Sequence, residues 1–164
     1  MKANTRKHLI AASNFLMGAT NFLIVPLPKS WNVGRGFSPP EVDANTHWGE
    51  VSWVTSGRAS QVLFNEDEGV ALEFVVKVSR GKKDLKPKMS QVRAQGPVQL
   101  GGHEATYALG EMKRGFPRRK IAQVLQASFY CDKTKRTINL EFVGQCAEGD
   151  LEALLEAISW LECH

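Results

Sequence analysis

Three cysteines and four histidines are the side chains here best suited to holding a metal, and they are scattered along the chain: His8, His47, His103, Cys131, Cys146, Cys163 and His164. A structural zinc site needs four such ligands at tetrahedral distances, usually announced by a pair spaced Cys-x-x-Cys. No such pair occurs. The nearest arrangement is Cys163-His164, with Cys131 and His103 as candidate companions. The apolar pattern before them reads as a helix running to the last residues, and adjacent residues on a fraying helix end diverge. The expectation is therefore no metal, with Cys131 as a small apolar filler on the face of Phe129 and Cys163 as a surface or helix-end thiol. An odd cysteine count without Cys-x-x-Cys points to free thiols in a reducing compartment, with a Cys131–Cys163 bridge as the alternative.

Catalysis would need a convergent acid, base or nucleophile. The histidines are dispersed, no Gly-x-Ser-x-Gly elbow or phosphate-binding glycine loop occurs, and Gly34 and Gly36 lack a strand-to-helix context. The chain is read as not an enzyme, with no catalytic residue and no cofactor. The acidic turn from Asn65 to Gly69 lacks the ligand spacing of a calcium loop.

A basic connection offers binding chemistry. Lys113, Arg114, Phe116, Arg118, Arg119 and Lys120 surround one aromatic ring, a composition that can neutralise phosphates and stack on a base. The plain alternative is a soluble loop that guards a sheet edge. Two further clusters are Arg80, Lys82, Lys83, Lys86 and Lys88, and Lys133, Lys135 and Arg136. A formal net charge of +4 permits a polyanionic partner without demanding one. Trp160, on the side of the last helix away from its apolar stripe, is the candidate contact for a protein partner, or else packs on the N-terminal segment.

These groups need a scaffold, and the periodicity supplies one. Ile121 to Cys131 and Thr137 to Val143 alternate as strands, with Ile138, Leu140 and Phe142 on a buried face and Thr137, Asn139 and Glu141 on a wet one. Upstream, a meander is expected over Trp48 to Thr55, Ser60 to Phe64 and Val70 to Val78. Pro97 to Leu100 and His103 to Glu111 then join at Gly101-Gly102. Asp150 reads as the N-cap of a closing helix whose stripe is Leu151, Leu154, Leu155, Ile158 and Leu161. A helix is expected over Thr5 to Met17, a break at Gly18, an edge strand over Asn21 to Leu27 and a surface connection over Gly34 to Asn45.

Phe22 with Pro26 to Trp31, then a meander, then Gly101-Gly102-His103-Glu104-Ala105, then a strand ending Phe129-Tyr130-Cys131, resembles the PsbP-like superfold over about residues 20 to 162. That group includes the extrinsic photosystem II subunit and a Ran-binding nucleotide-release factor. The resemblance implies an antiparallel sheet between helices, used as a binding scaffold and usually not as an enzyme; no functional residue is carried over.

The resulting expectation is an α+β fold, one antiparallel meander flanked by an N-terminal and a C-terminal helix. Residues 1–18 form a helical or signal-like segment and residues 19–164 one domain. The function expected is a noncatalytic scaffold for a protein partner, with nucleic-acid or polyanion binding through 113–120 as the alternative. No membrane span is expected, because Asn14 and Asn21 interrupt the early apolar run. A cytoplasmic setting is expected, or export if residues 1–25 act as a signal or anchor. Oligomeric state is left open.

Overall fold

A computed structural model describes residues 5–14, 19–35, 46–48, 57–65, 67–115 and 118–164. The strands are β1 (Thr5–Asn14), β2 (Ala19–Pro28), β3 (Trp31–Arg35), β4 (Thr46–Trp48), β5 (Gly57–Asn65), β6 (Val70–Arg80), β7 (Gln91–Leu100), β8 (His103–Arg114), β9 (Lys120–Cys131) and β10 (Arg136–Gly144). A single helix, α1 (Glu148–Ile158), follows. The sheet order is β2-β1-β5-β6-β10-β9-β8-β7, with β3 added on β5 and β4 on β1. All described pairings are antiparallel except β1 with β4.

The fold is therefore mostly β, which corrects the expected α+β sandwich. Thr5 to Asn14 is a strand and not a helix, paired residue for residue with β2 from Thr5↔Pro28 to Asn14↔Ala19. A short apolar run fits either period, and here tertiary pairing decides. Pro26 and Pro28 are tolerated because β2 ends the sheet order, where a missing N–H breaks no ladder. Of the connection expected over Gly34 to Asn45, Gly34 and Arg35 instead end β3, and of the strand expected over Trp48 to Thr55, Trp48 ends β4; the remainder of both, with the expected break at Gly18, lies outside the described residues.

The main core lies on one face of the sheet. Cross-strand register brings Phe74 opposite Phe142 and Val76 opposite Leu140, and the two phenyl rings stack at 4.4 Å. Leu125, Ala127, Phe129 and Cys131 continue that face on β9, and Leu151, Leu154 and Ile158 of α1 cover it. Helix α1 rests on β2 and β9. Its N-cap is Ala147; Asp150 stands one turn in and accepts the Ala147 N–H at 3.2 Å, which corrects its expected place at the cap. The helix also stops earlier than expected. Ser159 N donates to Glu156 O, and the tail then runs extended, with Glu162 pairing Ile24 of β2 through N–H···O bonds of 2.8 and 2.9 Å.

The opposite face is less wet than its pattern suggests. Thr137 and Asn139 are buried, because residues 81–90 cross that face as a strap. Thr137 Oγ1 accepts the Lys83 N–H at 2.9 Å and donates to Gly81 O at 2.6 Å, while Gln126 Oε1 accepts the Lys88 N–H at 3.1 Å. Farther along, Met89 packs on a small apolar cluster of Ala122, Val124 and Val143.

Candidate metal centre

Two strand ends and the tail meet at one end of the sheet and carry four ligands between them. His103 opens β8 directly after the Gly101-Gly102 turn, whose residues sit at φ +57° and +80°. Gly101 matters twice: its φ favours glycine, and a Cβ there would stand 2.5 Å from the Leu161 carbonyl oxygen. Its N–H donates to Ser159 O at 2.8 Å, so the turn is bonded to the start of the tail. Cys131 closes β9 at the tight turn into β10. In the tail, alternation turns Glu162 outward and buries Leu161 and Cys163.

The side chains converge. Cys163 Sγ lies 3.3 Å from His103 Nε2 and 3.5 Å from Cys131 Sγ. The His164 ring meets the His103 ring edge-on at 5.6 Å, and His103 stacks on Phe129 at 5.1 Å, which fixes its plane. One ligand atom from each of His103, Cys131, Cys163 and His164 lies within 4.8 Å of the others. With Zn–S near 2.3 Å and Zn–N near 2.0–2.1 Å, a tetrahedron has edges of about 3.8 Å between sulfurs and about 3.5 Å between sulfur and nitrogen. The spacings found are those of a set that closes on one ion with small adjustments.

The surroundings treat the two thiols differently. Burial pushes the Cys131 thiol up, but the nearby Thr134, the Cys163 thiol at 3.5 Å and the Lys133 backbone outweigh it and hold Cys131 below the ordinary thiol range. Polar groups close to a sulfur favour its thiolate, the form that binds a metal. For Cys163, burial, the Cys131 hydrogen bond and the Cys131 charge together push the thiol up to about 12. Without a cation, two thiolates do not coexist at this spacing.

This convergence overturns two expectations: that the four residues stay apart, and that Cys163 is a helix-end surface thiol. An extended tail replaced the imagined helix end, and it delivers two successive ligands to the same point. Cys146 lies elsewhere, its thiol raised to about 11 by burial. His8 and His47 belong to β1 and β4.

The basic connection is placed at the opposite end of the sheet. Lys113 and Arg114 end β8, Arg118 and Arg119 lie in the turn, and Lys120 begins β9; Phe116 lies outside the described residues. Arg114 is held by Glu73 at 2.8 Å. Trp160 follows α1 and is 49% exposed. Among the described residues, no helix is long and apolar enough to cross a membrane. No family model, curated protein or solved structure matches this chain, so the resemblance to the PsbP-like superfold rests on its motifs alone.

Proposed function

We propose that the chain is a noncatalytic binding module whose tail is fastened to the sheet by one zinc ion, held by His103, Cys131, Cys163 and His164. The observation that supports it best is the meeting of four ligand atoms within 4.8 Å, drawn from three separate stretches of sequence. Two thiolates and two neutral imidazoles around a divalent cation make an uncharged unit, which can be buried far more cheaply than a lone ion. Four protein ligands fill a tetrahedral shell and leave no position for a substrate, the arrangement of a structural and not a catalytic zinc. A reducing, cytoplasmic setting suits such thiols.

Metal content of the purified chain tests this reading. One zinc per chain is expected, and cobalt substituted for it should give the visible bands of tetrahedral coordination together with thiolate-to-cobalt charge transfer. Cys131→Ser and Cys163→Ser should each abolish both signals. Full zinc content in the double variant would sink the reading.

A further inference from the structure

The two sulfurs of the cluster face each other as well as the ligand position between them. Cys131 Sγ and Cys163 Sγ are 3.5 Å apart, so closing them to a disulfide bond of about 2.0 Å asks for an approach of about 1.5 Å. Both sit at the margins of the sheet, where such a shift is least resisted. Cys131 is the last residue of β9, ahead of a turn, and Cys163 lies one residue past Glu162, whose N–H and C=O both bond Ile24. The third thiol, Cys146, stands between β10 and α1 and takes no part in the cluster.

One of the two sulfurs can be reached. A hollow of about 190 Å³ is lined by Phe22, Thr134, Arg136 and Cys163 together with aliphatic side chains, and Phe22 at its edge is 51% exposed. At roughly 30 Å³ of liquid volume per water, a hydrogen peroxide molecule of about two waters' bulk fits inside. Cys131 does not line this hollow and is fully buried behind it.

We propose that hydrogen peroxide, entering by this hollow, oxidises Cys163 first and closes a Cys131–Cys163 disulfide, which expels any zinc held there and keeps the tail fastened by a covalent bond. In the first step the Cys163 sulfur attacks one peroxide oxygen: an S–O bond forms, the O–O bond breaks, and the departing hydroxide takes the thiol proton to leave as water. In the second, the Cys131 sulfur attacks that of Cys163: the S–S bond forms, the S–O bond breaks, and a second water leaves with the Cys131 proton. The two sulfurs lose two electrons and the peroxide gains them. Where zinc is bound, its loss follows from charge. Without the two thiolates, only His103 and His164 remain of the four ligands, and the buried cation is no longer neutralised. The disulfide stands without the zinc reading, and only the release of metal rests on it.

The test treats the full chain, zinc-loaded and zinc-free, with a small molar excess of hydrogen peroxide. A colorimetric chelator follows zinc, and alkylation of the remaining thiols with unreduced peptide mapping locates the bridge. In both forms the Cys131 and Cys163 peptides should emerge joined, with Cys146 alkylated, and in the loaded form zinc should appear mole for mole with disulfide. A small dithiol should restore both thiols and zinc binding. Cys146→Ser should behave as the unaltered chain does. Cys131→Ser should trap Cys163 as a sulfenic acid that dimedone labels, whereas Cys163→Ser should leave Cys131 unlabelled; circular dichroism checks that each variant is folded. A bridge that involves Cys146, Cys163 recovered only as sulfinic acid in the unaltered chain, or thiols that survive peroxide in the zinc-free form each overturns the proposal. A chain that takes up no zinc yet forms the bridge supports it while removing the metal reading, and a chain that holds zinc but never forms the bridge does the reverse.

Discussion

The two ends of the sheet carry similar side chains and use them differently. At the end formed by the β8–β9 turn and the start of α1, cations are consumed internally: Arg114 holds Glu73 at 2.8 Å, and Arg93 reaches Glu148 at 2.7 Å and Glu111 at 3.3 Å. At the other end, Arg80, Lys82, Lys83, Lys133, Lys135 and Arg136 have no acidic partners among the described residues, next to four convergent metal ligands. A run of basic residues thus says little until its partners are known. The 113–120 stretch has the denser charge, yet the strand register gathers the larger unpaired surface elsewhere.

The contrast can be broken most forcefully at the ligands. With zinc at about 1,000 times its dissociation constant, binding adds about 4 kcal/mol to folding stability, which moves the melting midpoint by roughly 8–16 °C in a chain of this size. Stripping the metal with a chelator should lower the midpoint by that amount, and melting curves read it directly. A chelator without effect would make the two ends equivalent again. A smaller and more pointed effect is expected at the turn before His103. Gly101→Ala meets both a positive φ and the Leu161 carbonyl, so about 1–3 kcal/mol should be lost and cobalt affinity should fall with it. Gly102→Ala shares only the positive φ, with nothing within 4 Å, and should cost about 1 kcal/mol with affinity nearly unchanged. Equal effects on cobalt binding would mean that the close approach of tail and turn does not position the ligands. The least effect belongs to the opposite end: Arg114→Ala removes an exposed ion pair, and denaturant unfolding should register a change of at most about 1 kcal/mol.

Much of the sheet is legible in the sequence because β6, β9 and β10 alternate cleanly over long runs and their turns contain glycine or polar residues where chain reversal needs them. Gly69 does take φ +65° in the hairpin between β5 and β6. The N-terminal hairpin was harder to read, since Leu9 to Val25 has no dominant period and its pairing partner decides between helix and strand. The metal centre was hidden for a related reason. Its ligands sit 28 residues apart from His103 to Cys131 and 32 from Cys131 to Cys163, so no spacing rule applies. Each nevertheless occupies an informative place: a histidine just after a Gly-Gly turn, a cysteine at the last position of a strand, and a Cys-His pair beyond the apolar stripe of a helix. Extending the helix to Cys163 discarded that signal. Ending it near Ser159 would have exposed it, since an extended tail can pair with a strand and turn Leu161 and Cys163 inward, with His164 following at the exposed end.

The backbone pairing of Ile24 with Glu162 has a kinetic consequence. These residues lie 138 positions apart, so the loop their contact closes is among the longest the described chain permits. Contacts of such high order form slowly, after local hairpins have removed most of the intervening freedom. The seam between β2 and the tail should therefore be the last piece of the sheet to assemble during refolding. Cobalt colour, which requires the neighbouring Cys163 to have arrived, would then serve as a clock for that final step, lagging the recovery of strand structure.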